Sequence, residues 1–230
     1  MNFFDVVWQN KEVFKLLFTG AVGLICFFIV LRTNRLFKLS SHQGIRYFRN
    51  AFFFYGLAFI MRYVLGQSHF ISDTPTMYSS ITTGVFEFFL IMAGFSLLYS
   101  LLWKKFEPEG GIHSSLFNLR FLIFYLLALT IVLLDYIWAT YNFMFSIQII
   151  LFVFATAISY SNYQKSRNKV FLKLYFLVIL LNLIAWITNF LVATLFEWHI
   201  GGVIGIYIIN MVIFILFLYG VMNVTKKSKL

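Results

Sequence analysis

A bundle of seven transmembrane α-helices is the fold class this sequence predicts, and three observations carry that prediction. Hydrophobic residues fill 61% of the 230 positions, against roughly 45–50% in an ordinary globular domain. Charged residues fill only 11%, against roughly 25%, and the mean hydropathy is +0.87. The apolar residues also gather into runs of about twenty, the length that crosses a ~30 Å hydrocarbon core as a helix. A soluble fold of this size has too large a surface-to-volume ratio to bury so much apolar side chain.

The runs fall at about 13–31, 47–66, 78–103, 116–138, 143–161, 171–195 and 201–223. The first is preceded by Lys11, Glu12 and Lys15 and closed by Arg32 with no small-residue cleavage pattern, so it reads as a retained helix and not as a removed leader. Arg46 and Arg49 flank the start of the second, and Trp103 with Lys104 and Lys105 closes the third. The fourth begins around Arg120 and ends at Trp138, where an indole anchors at the interface. The fifth ends short of Lys165; the sixth lies between Lys169 and Trp198; the seventh stops before Lys226. Apolar residues cover most faces of each run, and none shows the alternating ten-residue pattern of an outer-membrane barrel. Pro75 and Pro108 both fall in predicted loops, leaving the spans without a proline kink.

Fifteen of the eighteen Lys and Arg residues lie on alternate connections: 32–49, 104–120, 165–173 and the tail after 223. The segments 67–77, 139–142 and 196–200 carry none. The positive-inside rule therefore places the C-terminus in the cytoplasm and, with seven spans, the N-terminus outside. The same distribution gives the formal charge of +10 a topological meaning, so no nucleic-acid partner is expected; the partner is the bilayer. A cytoplasmic or plasma-type membrane is the expected location. The single cysteine, Cys26, excludes an intramolecular disulfide. The connections are short, so activity is expected within the bilayer or through a partner.

An ionisable group at membrane depth costs at least ~2.5–3.5 kcal/mol and marks a functional hypothesis. Glu87 is nine residues into the third span, where a carboxylate cannot snorkel and needs a bound proton or a paired cation. Arg62 and Asp135 lie near the outer ends of spans two and four. Gln148, Asn182, Asn189, Tyr207 and Asn210 fall in the same outer half, as does Trp186, one turn from Asn182. Facing a common interior, these nine would line a pocket open to the outside, with Arg62 pairing to Glu87 or Asp135. The bland reading is that Arg62 and Asp135 snorkel and that the amides are interhelical hydrogen bonds worth about 0.6 kcal/mol each. His69, Asp73, Glu197 and His199 share the outer loops as a weak zinc-ligand set with loop spacings. Gly201 and Gly205 form a G-x-x-x-G pair whose expected use is packing within the bundle.

No histidine lies within a span, which removes haem held between transmembrane histidines, and no cofactor is expected. Seven helices with an external N-terminus resemble, in layout, microbial rhodopsins, SWEET-type sugar transporters and the seven-helix input modules of prokaryotic sensor kinases. The rhodopsin resemblance implies a Schiff-base lysine in the last helix, and 201–223 has none. The SWEET-type resemblance implies two parallel three-helix repeats joined by a linker helix. Spans one to three and five to seven do run in the same directions, with Glu87 and Asn210 each nine residues from their span starts, but the Pro-Gln signature is absent. The sensor-module resemblance covers the whole chain and rests on the basic loop after span one and the polar outer half.

The expected function is accordingly receptor-like or sensor-like: a small ligand bound in an outward-facing polar pocket, with a helix shift passed to a separate cytoplasmic partner. The alternatives are a small-solute or proton-coupled transporter with Glu87 as carrier carboxylate, and a non-catalytic subunit of a larger membrane complex. No G-x-S-x-G, H-E-x-x-H or acid pair at helical spacing is present, so an enzyme is not expected.

Overall fold

The computed structural model describes residues 11–40, 42–67, 75–106, 119–138, 140–165, 169–195 and 200–227. They form seven helices and no strand: α1 (Lys11–Ser40), α2 (Gln43–Gln67), α3 (Pro75–Phe106), α4 (Leu119–Trp138), α5 (Asn142–Lys165), α6 (Lys169–Leu195) and α7 (Ile200–Lys227). Each expected span is found as a helix. Most helices outrun their apolar core because a helix continues into water once its last carbonyls are solvated, so α1 runs on past Arg32, Arg35 and Lys38. Pro75, expected in a loop, is instead the first residue of α3, where its missing N–H breaks no helical bond.

Six helices are long and apolar enough to cross a membrane; this is a polytopic α-helical membrane protein. The exception by composition is α2, whose twelve residues between Arg49 and Arg62 are the stretch free of charge. It compensates by position, since Ala51, Phe52, Phe54, Tyr55 and Ala58 are all buried among the other helices. At the basic end, Arg49 donates to Asn34 Oδ1 at 2.7 Å, tying α2 to α1.

The contacts define a ring. α1 packs on α2, α2 on α3, α3 on α5, α5 on α6, α6 on α7, and α7 returns to α1. α4 stays outside, touching α3 and α5. Only 17% of its span is buried, against 56% for α3, so its leucines and isoleucines face the lipid. α1 to α3 form one half of the ring and α5 to α7 the other, with α4 between them in the chain.

Small residues set the close approaches. A Cβ on Gly56 would meet the Cys26 side chain at 3.2 Å, where α1 crosses α2, and one on Gly94 would meet Gln148 Oε1 at 2.6 Å, where α3 meets α5. The G-x-x-x-G pair behaves otherwise: a Cβ on Gly205 meets no described atom within 4 Å, so no described residue packs there, and the surroundings of Gly201 lie outside the described side chains. Aromatic rings fill the centre. Phe52 lies 4.9 Å from Phe48, 4.9 Å from Phe217 and 6.2 Å from Phe214, forming a continuous layer across the ring.

Candidate functional site

Three helices of the ring each present one face of the same pattern at the end opposite the basic connections. On α2 the residues are Tyr55, Phe59 and Arg62; on α6, Asn182, Trp186 and Asn189; on α7, Tyr207, Asn210 and Phe214. The spacings, i, i+4, i+7 and i, i+3, i+7, keep each trio on one side of its helix. They enclose a cavity of about 280 Å³, completed by Phe18 from α1, Phe86 and Leu90 from α3, and Met144 and Phe145 from α5. No described residue of α4 belongs to its wall.

Six of the nine expected residues therefore meet: Arg62, Asn182, Trp186, Asn189, Tyr207 and Asn210. Trp186 is buried, edge-on to Phe145 at 6.1 Å. Asn189 donates to the carbonyl of Ala185 at 2.8 Å, leaving its own carbonyl oxygen for other partners. Tyr207 stacks on Phe18 at 4.5 Å. The pairing expected of Arg62 is not made: its guanidinium sits 4.5 Å over the Phe86 ring, and no ion pair joins it to a described carboxylate. The polarisable ring face takes up part of the charge where an acid was expected.

Asp135, Gln148 and Glu87 do not line the cavity. Asp135 is a helix cap. Its carboxylate accepts from the backbone N–H of Met144 at 2.7 Å and of Phe143 at 3.0 Å, and from Thr140 Oγ1 at 3.3 Å, so it closes the first turn of α5 from the end of α4. Gln148 is wholly buried and donates to the carbonyl of Leu90 at 2.9 Å, with its Oε1 unpartnered between α3 and α5. Glu87 is buried on the α3 face two turns from Gly94, near enough to Asp135 for the two carboxyl groups to feel each other's charge. No hydrogen bond reaches it from a described residue. The weak zinc candidates His69, Asp73, Glu197 and His199 lie outside the described residues, among which no cluster of three metal-ligating side chains occurs.

With Arg62 and Glu87 unpaired, we expect a double-mutant cycle of Arg62→Ala and Glu87→Gln to give a coupling below about 0.5 kcal/mol. Glu87→Gln by itself is expected to be neutral or stabilising in detergent, because the amide fills the same space without an ionisable group. A coupling above ~1 kcal/mol would show that the two charges meet after all.

The sequence reading passed over Tyr55. Its side chain is 4% exposed, and its hydroxyl, beside the Asn182 carboxamide at the cavity wall, makes no hydrogen bond to another described residue. Such an orphaned donor in a low-dielectric interior costs roughly 1–3 kcal/mol unless a guest supplies the acceptor. The available signal was its place two turns below Arg62 on the same face.

A second cavity of about 250 Å³ lies at the basic end, bounded by the same six helices and again by no described residue of α4. It is predominantly apolar, with Thr33, His42, Ser100, Ser159 and Asn162 as its polar points. Tyr55 and Phe214 wall the first cavity, Phe48 and Phe217 the second, and Phe52 fills the layer between. On α2 the two walls are seven residues apart, about 10 Å of helix.

Comparison with other proteins adds little chemistry. The chain is similar to an uncharacterized protein of Archaeoglobus fulgidus, 31% identical over 106 residues that cover 41% of this chain and 45% of the relative. It thus spans less than half the length of the relative it matches. No family model and no solved structure matches it.

Proposed function

We propose that this protein is receptor-like: it captures a small ligand from the side opposite its basic connections and passes the change to a separate cytoplasmic partner. The observation that carries this reading is the roughly 280 Å³ cavity where three helices present hydrogen-bonding groups and Tyr55 holds an unpartnered hydroxyl. Concave, mostly apolar pockets with a few convergent polar groups are the ordinary form of a small-molecule site. The polar cavity end takes the outside and the Arg- and Lys-rich end the cytoplasm by the positive-inside rule, in a plasma-type membrane.

Transport of a small solute is the second reading, favoured by the cavity at the other end of the same ring and by the two three-helix halves of that ring, an arrangement that transporters use. In that case Glu87, which faces neither cavity, is not the carrier.

Side-specific labelling tests both. In a Cys26→Ala background, Asn210→Cys is expected to react with a membrane-impermeant methanethiosulfonate added outside, whereas Ile215→Cys on the lipid face of α7 stays unreactive. Unreactive Asn210→Cys overturns the outer pocket. Ser159→Cys reacting from the outside as well as the inside would favour transport over signalling.

A further inference from the structure

The lining of the outer cavity carries one full charge. Among its sixteen described residues there is no Asp, Glu, Lys or His, and Arg62 is the one ionisable cation among them. Arg62 stands at the exposed rim of the cavity, with the Phe86 ring beneath it and its remaining donors unclaimed by any described carboxylate. A guanidinium at membrane depth is costly without a counter-ion, and its planar fork matches a carboxylate bidentately. The rest of the wall is built for a flat apolar body. Phe18, Phe59, Phe86, Phe145, Trp186 and Phe214 supply ring faces and edges, while Tyr55, Asn182 and Asn210 offer hydrogen bonds deeper in. A dry cavity of about 150 Å³ holds a benzene ring, so about 280 Å³ has room for a two-ring molecule.

From this lining we infer that the outer cavity takes a small planar organic carboxylate, its anionic group meeting Arg62 and its rings packed among the aromatic side chains. The inference rests on the outer cavity being a ligand site and adds the sign of the ligand's charge and its shape. A cation is disfavoured on two grounds: it would meet Arg62, and the two carboxyl groups that would attract it, Glu87 and Asp135, stand outside the wall. A sugar-like polyol would leave the ring faces unused.

The experiment compares three probes of one shape on the purified full chain: 2-naphthoate, 2-naphthamide and 2-naphthylmethylammonium, each read as a thermal shift in detergent. At a concentration tenfold above its dissociation constant, naphthoate is expected to raise Tm by roughly 3–5 °C. The amide should give less than half that shift, and the ammonium compound none. In Arg62→Gln the advantage of acid over amide disappears, and in Arg62→Lys, which keeps the charge but loses the fork, part of it remains. Equal shifts for acid and amide in the wild type overturn the inference, as does an acid preference that survives Arg62→Gln. If none of the three probes shifts Tm, while Asn210→Cys also fails to label, the ligand-site reading falls as well. A silent probe set with Asn210→Cys labelled overturns the planar carboxylate alone. Should Arg62→Gln not purify, the acid-against-amide comparison in the wild type decides the matter without it.

Discussion

Replacing Asp135 by leucine is expected to cost about 2–4 kcal/mol of stability, the larger part of it from two backbone N–H groups left without an acceptor at membrane depth. In water an N-cap loss costs about 1 kcal/mol, because solvent takes over the freed donors. Here the donors belong to Phe143 and Met144, and the bond from Met144 is buried, so solvent replaces it poorly. Asparagine caps nearly as well as aspartate, and Asp135→Asn should lose no more than about 1 kcal/mol. Unfolding in graded detergent mixtures reads both. A loss below 0.5 kcal/mol in Asp135→Leu would mean that the α4–α5 corner is held by something other than this carboxylate. Because Asp135 stands outside the cavity wall, ligand-induced thermal shifts should persist in Asp135→Asn.

The contrast between Asp135 and Asn182 marks where sequence reasoning stops. Depth is legible in a membrane chain, since counting residues from a span end places a side chain along the bilayer normal to within a turn. Azimuth is not. A soluble helix announces its inner face by polarity, but spans apolar on every face leave the direction of each side chain to tertiary contacts. Six of the nine candidate residues line one cavity, whereas Asp135 caps α5, Gln148 turns toward α3 and Glu87 stands outside the wall. Asp135 had a local explanation that only the turn geometry reveals, namely that it lies seven residues before the start of α5. Tyr55 was hidden among 13 tyrosines and 31 phenylalanines, because an aromatic in a span is ordinary. Arg62 lines the cavity without pairing to a described carboxylate, and nothing in a linear sequence says that Phe86 rather than Glu87 faces it. All seven helices were legible as apolar runs, although the arginines of α2 take it below the apolar composition of its neighbours.

Phe52→Ala is the other substitution with a large expected effect, and its size follows from the membrane setting. Phe52 has no exposure and packs on Phe48, Phe217, Phe214 and Tyr55. In a soluble core, removing such a ring loses a transfer term and a cavity term, together about 3–5 kcal/mol. In a bilayer the transfer term largely vanishes, because lipid is as apolar as the core the ring leaves. What remains is the void: at about 24 cal/mol per Å³ and roughly 100 Å³ removed, about 2–3 kcal/mol. The same void lies between the two cavities, so the substitution does more than destabilise. It joins the space walled by Tyr55 and Phe214 to the space walled by Phe48 and Phe217. In the Cys26→Ala, Ser159→Cys background, Phe52→Ala is expected to make the inner thiol reactive to an impermeant reagent applied outside. Phe52→Leu, which keeps most of the volume, should leave it protected and recover more than half of the lost stability. A thiol that stays protected in Phe52→Ala at full expression would mean that the aromatic layer is thicker than Phe52 alone, with the Phe48–Phe217 contact sealing the inner cavity by itself. A stability loss near 4–5 kcal/mol would instead show that the ring contacts outweigh the void, since edge-to-face pairs contribute about 0.5–1.5 kcal/mol each and Phe52 makes two, with Phe217 and Phe214.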